Sequence, residues 1–144
     1  MKTAKQLIQS KGGAVFSVAP EASVYEALQL MAAKDVGALL VLEAAQVVGV
    51  FSERDYARKI ALKGKASRET SVREVMTERV VFVRGDQTVQ ECLALMTNKR
   101  VRHLPVFEGE QLLGVISIGD AVKDIISEQE FVIEQLEHYI MGVR

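Results

Sequence analysis

The chain has 144 residues, 49% of them hydrophobic and 26% charged, with a formal net charge of −1. That is enough for a core without covalent staples, and the near-neutral balance excludes a general pull toward nucleic acid or anionic membrane. One cysteine, Cys92, excludes an internal disulfide, and no apolar run approaches the ~20 residues of a membrane helix.

In chain order, Thr3-x-x-Gln6 is a capping box that opens a short helix before Gly12-Gly13. Ala14 to Val18 reads as a short strand bounded by Pro20. Ser23-x-x-Glu26 opens a second helix, in which Val24, Ala27, Leu28 and Met31 share one face. Ala38 to Leu42 and Val47 to Phe51 are apolar runs of strand length around the turn Glu43-Ala44-Ala45-Gln46 and predict a buried hairpin. Ser52 starts a helix to about Ala61, and Lys63-Gly64-Lys65-Ala66-Ser67 reads as a linker. The second half repeats the order: a helix from Ser71, a strand from Val80 to Val83, a helix capped by Thr88-x-x-Glu91, a hairpin turning at Glu108-Gly109-Glu110, and a helix from Ser117. Ser127-x-x-Glu130 then restarts helix, with Val132, Ile133, Leu136, Tyr139 and Ile140 on a broad apolar face.

Residues 15–60 align with 80–125 at a constant offset of 65 with no gap, and 18 of the 46 positions are identical. Each unit is β-α-β-β-α, so the fold class is α/β (α+β): two repeats related by a pseudo-twofold, plus a C-terminal helix. The sequence divides at 1–65 (first repeat with the N-terminal helix), 66–126 (second repeat) and 127–144.

The repeat centres on Gly49-Val50-Phe51-Ser52-Glu53-Arg54-Asp55 and Gly114-Val115-Ile116-Ser117-Ile118-Gly119-Asp120. Gly49 and Gly114 leave room for close approach of a ligand. Ser52 and Ser117 sit at helix N-termini, and Asp55 and Asp120 can accept hydrogen bonds from two vicinal hydroxyls. A carboxylate repels phosphate, so phosphates would need cations: Arg54, Arg100, Arg102 and His103. Apolar and small neighbours, Val36, Gly37, Ala38, Phe51, Val101 and Ile116, could wall a flat ring. On pattern alone both turns read first as helix caps, although only they use Asp where the other boxes use Glu or Gln, and Asp is expected to be the poorer reciprocal cap.

Two tandem units ending Gly-h-h-Ser-x-x-Asp (h apolar), with Val101-Arg102-His103-Leu104-Pro105-Val106 before the second hairpin, resemble a pair of CBS domains of the stand-alone bacterial kind, over roughly residues 3–126. The resemblance implies a regulatory module and not an enzyme. It implies an adenosyl ligand (AMP, ATP, NAD(H) or S-adenosylmethionine) in clefts between the repeats, a homodimer of pairs, and no catalytic cofactor. On that reading Ser52, Asp55, Ser117 and Asp120 hold the ribose, Arg54, Arg100, Arg102 and His103 the phosphates, and Val36, Gly37, Ala38, Phe51, Val101 and Ile116 the adenine. Arg102-His103 align with Gly37-Ala38, and Arg54 with Gly119. Phosphate contacts from Arg54 and Arg102/His103 together are therefore expected, at two sites of unequal strength.

The alternative is a ligand-free dimerisation or protein-docking module. A hydrolase built on Ser52 or Ser117 with His103 lacks a nucleophile elbow, and nucleic-acid binding lacks basic excess and aromatic platforms. Two histidines and one cysteine far apart give no metal-ligand spacing, Cys92 reads as a core residue, and His138 as a solvated one. No catalytic residue, no metal, no nucleic acid and no membrane is expected. The N-terminus carries no signal-peptide pattern, so the expected compartment is cytoplasmic. The effector protein is not named by the sequence.

Overall fold

A computed structural model describes residues 2–141. Its elements are α1 (Ala4–Lys11), β1 (Ser17–Val18), α2 (Val24–Lys34), β2 (Ala38–Glu43), β3 (Gln46–Ser52), α3 (Glu53–Asp55), α4 (Val72–Val75), β4 (Val83–Arg84), α5 (Val89–Lys99), β5 (His103–Glu108), β6 (Gln111–Ser117) and α6 (Ile118–Met141). They form two compact units, Ala14–Val80, and residues 2–13 with 81–141. Each holds a three-stranded sheet, β1-β2-β3 or β4-β5-β6, with the first strand parallel and the last antiparallel to the middle one. The hairpins have equivalent registers 65 residues apart, including a shift between Val41 and Leu42 and another between Val106 and Phe107. The mixed α/β architecture with repeated sheets is the one the sequence predicts.

The unit boundaries differ from the sequence division. The N-terminal helix, expected with the first repeat, packs in the unit of the second. Its Ala4, Leu7 and Ile8 are buried in a core with Val83, Val89, Cys92, Met96, Leu104, Val106, Ile116 and Ala121. Lys2 just before it and its own Lys5 and Lys11 pair with acids of the same unit, Lys2 with Asp124 (3.0 Å), Lys5 with Glu108 (2.7 Å) and Lys11 with Asp120 (2.7 Å). In the other unit α4 takes the matching place, burying Val72, Val75 and Met76 among Val24, Ala27, Met31, Leu39, Val41, Phe51 and Ile60. Local sequence encodes a helix and its apolar face, but not which sheet that face will find.

Other boundaries also move. β1 and β4 have two residues each, shorter than the runs Ala14–Val18 and Val80–Val83. β4 pairs one residue later than β1: Ser17 and Val18 face Leu40 and Val41, whereas Val83 and Arg84 face Val106 and Phe107. The cause is Pro105. The Leu40 N–H donates to the Phe16 carbonyl (3.2 Å), and Pro105 at the matching position has no N–H to give. The helix from Ser52 has one α-helical turn and then runs π-helical over Tyr56–Ala61. The expected restart at Ser127 does not occur, because α6 is continuous for 24 residues and no Gly or Pro interrupts it beyond its first turn. Ser71 makes no side-chain cap bond.

Candidate functional site

Both Gly-h-h-Ser-x-x-Asp turns end a β3-type strand and begin a helix. In each, the strand opposite brings a second loop alongside, through the register pairs Ala38↔Ser52 and His103↔Ser117. The Gly37 carbonyl accepts from the Glu53 N–H (3.0 Å), and the Arg102 carbonyl from the Ile118 N–H (2.8 Å). Gly37 and Ala38 therefore lie beside Ser52 and Asp55, while Arg102 and His103 lie beside Ser117 and Asp120.

Both turns are reciprocal capping boxes. The Ser52 N–H donates to Asp55 Oδ2 (3.0 Å) and the Asp55 N–H to Ser52 Oγ (3.2 Å). The Ser117 N–H donates to Asp120 Oδ2 (2.9 Å) and the Asp120 N–H to Ser117 Oγ (3.0 Å). The expectation that aspartate caps poorly is thus overturned, since both backbone bonds form at ordinary lengths.

The two carboxylates differ in what else they hold. A carboxylate offers about four acceptor positions. Asp55 fills them all: Oδ2 accepts from Ser52 N–H and Ser52 Oγ (3.0 Å), and Oδ1 from Thr77 Oγ1 (3.0 Å) and Lys59 Nζ (3.0 Å). Its residue is only 7% exposed. Asp120 Oδ2 accepts from Ser117 N–H and Lys11 Nζ, and its side chain is 27% exposed. Burial alone would raise the Asp120 pKa, but the Lys11 hydrogen bond and charge together with the Ser117 donors hold it below the usual carboxylate value. Asp120 is ionised at neutral pH with acceptor capacity toward solvent.

His103 pairs across the hairpin with Ser117 and feels the charge of this carboxylate. Burial pushes its pKa down, the Asp120 charge pulls it up, and Lys11 and Arg102 push it down again, with a net lowering. At neutral pH the lowered value favours the neutral ring, which can donate one N–H. Arg102 is exposed. Arg100 closes α5 in a left-handed conformation (φ 55°), and Arg54 sits in the single turn of α3, in the other unit.

Several expected ligand contacts are structural instead. A Cβ on Gly49 would lie 2.6 Å from Met76 Sδ and 3.0 Å from the Thr77 carbonyl oxygen. A Cβ on Gly114 would lie 2.8 Å from Ile8 Cδ1. The glycines make room for a helix packed on the sheet rather than for a ligand. Phe51 and Ile116 are 0% exposed and belong to the cores, so neither walls a ring. Val36 and Val101 pack partly against those cores. Cys92 is buried, and burial first, then the Glu91 charge, raises its thiol pKa. Sequence reading missed Lys11, Lys59 and Thr77. Lys59 had a local signal, four residues after Asp55 on one helix. Lys11 had none, because it meets Asp120 only through the tertiary fold.

Among the described residues no His/Cys/Asp/Glu cluster could hold a metal ion, and no helix is long and apolar enough to cross a membrane.

The CBS domain family model matches residues 10–62 and 72–127. The chain belongs to the CBS domain family. It is 34% identical over 97% of its length, and 72% of the other's, to the mitochondrial CBS domain-containing protein CBSX3 of Arabidopsis thaliana. A putative signal-transduction protein with CBS domains from Burkholderia ambifaria superposes with a TM-score of 0.85 at 44% identity, covering 89% of this chain and 96% of that one. The CBS domain pair of protein MJ0100, solved with 5′-methylthioadenosine and S-adenosylmethionine, superposes with a TM-score of 0.77 over 89% of this chain and 98% of that one. At 17% identity that last likeness speaks for the fold alone. CBS pairs are regulatory modules, and two matches in tandem make this chain one such pair.

Proposed function

We propose that this CBS pair senses an adenosyl nucleotide of the AMP, ATP or NAD(H) class by binding alone, and that the Ser117–Asp120 turn carries the ribose. The observation behind this reading is the contrast between the aspartates. Asp55 is saturated by four donors, whereas Asp120 is ionised, part-exposed and able to accept from a vicinal diol. Arg102 is an exposed cation on the adjoining loop, with His103 as a neutral donor beside it. In the other unit Ser52, Asp55 and Arg54 form the weaker set; Arg100 belongs to the unit of Asp120, and Val36, Gly37 and Ala38 in one unit and Val101 in the other are what remains of the expected adenine-wall residues. The MJ0100 pair lends support at the level of fold, since it holds two adenosyl compounds.

Calorimetric titration and thermal shift with AMP, ATP, NAD, NADH and S-adenosylmethionine test the reading. A ligand at ~100 times its dissociation constant adds about 2.7 kcal/mol. For a chain of this size that raises the melting temperature by roughly 5–10 °C. Asp120→Asn is expected to abolish the shift, and no shift with any of the five compounds would sink the proposal.

A second reading, which does not exclude the first, is a homodimer through α6. Val132, Ile133, Leu136, Tyr139 and Ile140 are 50–87% exposed on one helix. Along α6 the residues Ile118, Val122, Ile125, Gln129, Val132, Leu136 and Tyr139 alternate spacings of four and three, which is a heptad seam with one polar position. Ile118, Val122, Val132, Leu136 and Tyr139 of that stripe are exposed, and they are the surface such a contact would cover. A second copy fits it best, because a seam of this kind pairs with itself about a twofold axis.

A further inference from the structure

We propose that Lys11 sets the ligand specificity of the Asp120 site, favouring a 5′-phosphorylated ribonucleoside over its unphosphorylated counterpart by exchanging Asp120 for the phosphate when the nucleotide binds. The proposal rests on the ribose reading of Asp120 given above. Lys11 closes α1, and its Nζ lies 2.7 Å from Asp120 Oδ2 and 2.8 Å from the Val115 carbonyl oxygen. Together with the Ser117 N–H it fills both acceptor positions of that oxygen. A diol that bonds both carboxylate oxygens must displace one donor. The Ser117 N–H is fixed in the backbone, whereas the Lys11 side chain is 33% exposed on a flexible four-carbon stem. Lys11 is therefore the donor that yields.

What happens next depends on the ligand. A neutral nucleoside takes the carboxylate and leaves the ammonium without its anion, so it binds against the ion pair. A nucleotide brings its own anion into reach, and the ammonium changes partners with no net loss of a charge-assisted bond. The other unit shows the contrasting arrangement. There Lys59 holds Asp55 from within the same helix and also donates to the Val75 carbonyl (2.9 Å), while Thr77 fills the remaining position. The residue 65 positions after Lys59 is Asp124, which cannot hold Asp120. The cation beside Asp120 comes instead on a separate helix, where it is free to exchange anions without unwinding the turn that carries the carboxylate.

The test is calorimetric titration of adenosine and AMP into the wild-type chain, Lys11→Met and Lys11→Arg, each first shown to melt cooperatively. Wild type is expected to prefer AMP by about tenfold or more, the scale of one charge-assisted bond. Lys11→Met should narrow the preference to within about threefold, with adenosine bound as well as before or better, while Lys11→Arg keeps it. A Lys11→Met protein with the wild-type preference overturns the role of Lys11 and leaves the ribose reading standing, as does a wild type that binds both compounds equally. Binding of neither compound to wild type sinks the ribose reading and this proposal together. If Lys11→Met fails to fold, Lys11→Gln takes its place under the same criteria.

Discussion

Asp55 and Asp120 occupy the same position in two copies of one motif, yet a single methylene-carboxylate does different work in each. Around Asp55, two oxygens meet four donors at 3.0 Å in a site almost closed to water. Removing the carboxylate leaves the Ser52 N–H, the Thr77 hydroxyl and the Lys59 ammonium without their acceptor. Stranded buried donors cost about 1–3 kcal/mol each where water cannot reach them. Lys59 is 40% exposed and recovers most of its loss by hydration. Asp55→Ala is thus expected to destabilise the ligand-free protein by roughly 2–4 kcal/mol. Asp120→Ala loses one cap bond and one part-exposed ion pair and should cost only about 1 kcal/mol. Urea melts of the two variants check this, and equal losses would remove the distinction between a structural and a functional aspartate. The identity of the two residues was legible in the sequence, and so was an inequality of their surroundings, from Arg102-His103 against Gly37-Ala38, but the different hydrogen bonding of the two carboxylates was not. It arises from Lys11, Lys59 and Thr77, of which only Lys59 stands at a spacing that a sequence can reveal.

At the level of elements, the capping boxes at Thr3, Ser52 and Thr88 and the i, i+3, i+4 patterns gave the helices their places, because those signals act within one or two turns. Strand ends were less legible, since they depend on a partner's N–H groups, as Pro105 shows by shifting β4 one residue along. The restart expected at Ser127 does not occur, because Ser127-x-x-Glu130 has the letters of a box but lies inside the continuous α6. The continuous α6 matters for assembly. Its last three turns carry Val132, Leu136 and Tyr139 in the same seam as Ile118 and Val122, so a contact can run the length of a helix roughly 36 Å long. Introducing Leu136→Glu places a charge in that seam and, in a twofold pair, opposite its own copy. Sedimentation equilibrium should then report half the wild-type mass with the melt of the units little changed. An unaltered mass would exclude α6 as the interface.

For the molecule as a whole, the repeat in the sequence and the unit in space are cut at different places. Cutting the chain at residue 65 gives a first repeat that carries α1, whose buried partners Val83, Leu104 and Ile116 are absent, and lacks α4, which should cover Phe51 and Met31. Cutting at the spatial boundary gives residues 14–80, in which α4 is present and Gly49 has Met76 against it. A unit of this size is close to the lower limit for independent folding, so losing one covering helix is decisive. Burying Val72, Val75 and Met76 is worth about 1.5–3 kcal/mol per side chain, comparable to the whole margin of a small domain. The fragment 14–80 is expected to show a cooperative thermal transition by circular dichroism, and the fragment 1–65 none. The same logic applies to residues 81–141, which lack α1 and should gain a transition only when a peptide of residues 1–13 is added. Ile8 is the residue that decides this, because it fills the space that Gly114 leaves open. A peptide with Ile8→Ala should bind more weakly, by the ~2–5 kcal/mol of a buried large-to-small change. A fragment 1–65 as cooperative as 14–80 would mean that the units owe their stability to the sheets and their first helices alone, and that α1 and α4 merely decorate them.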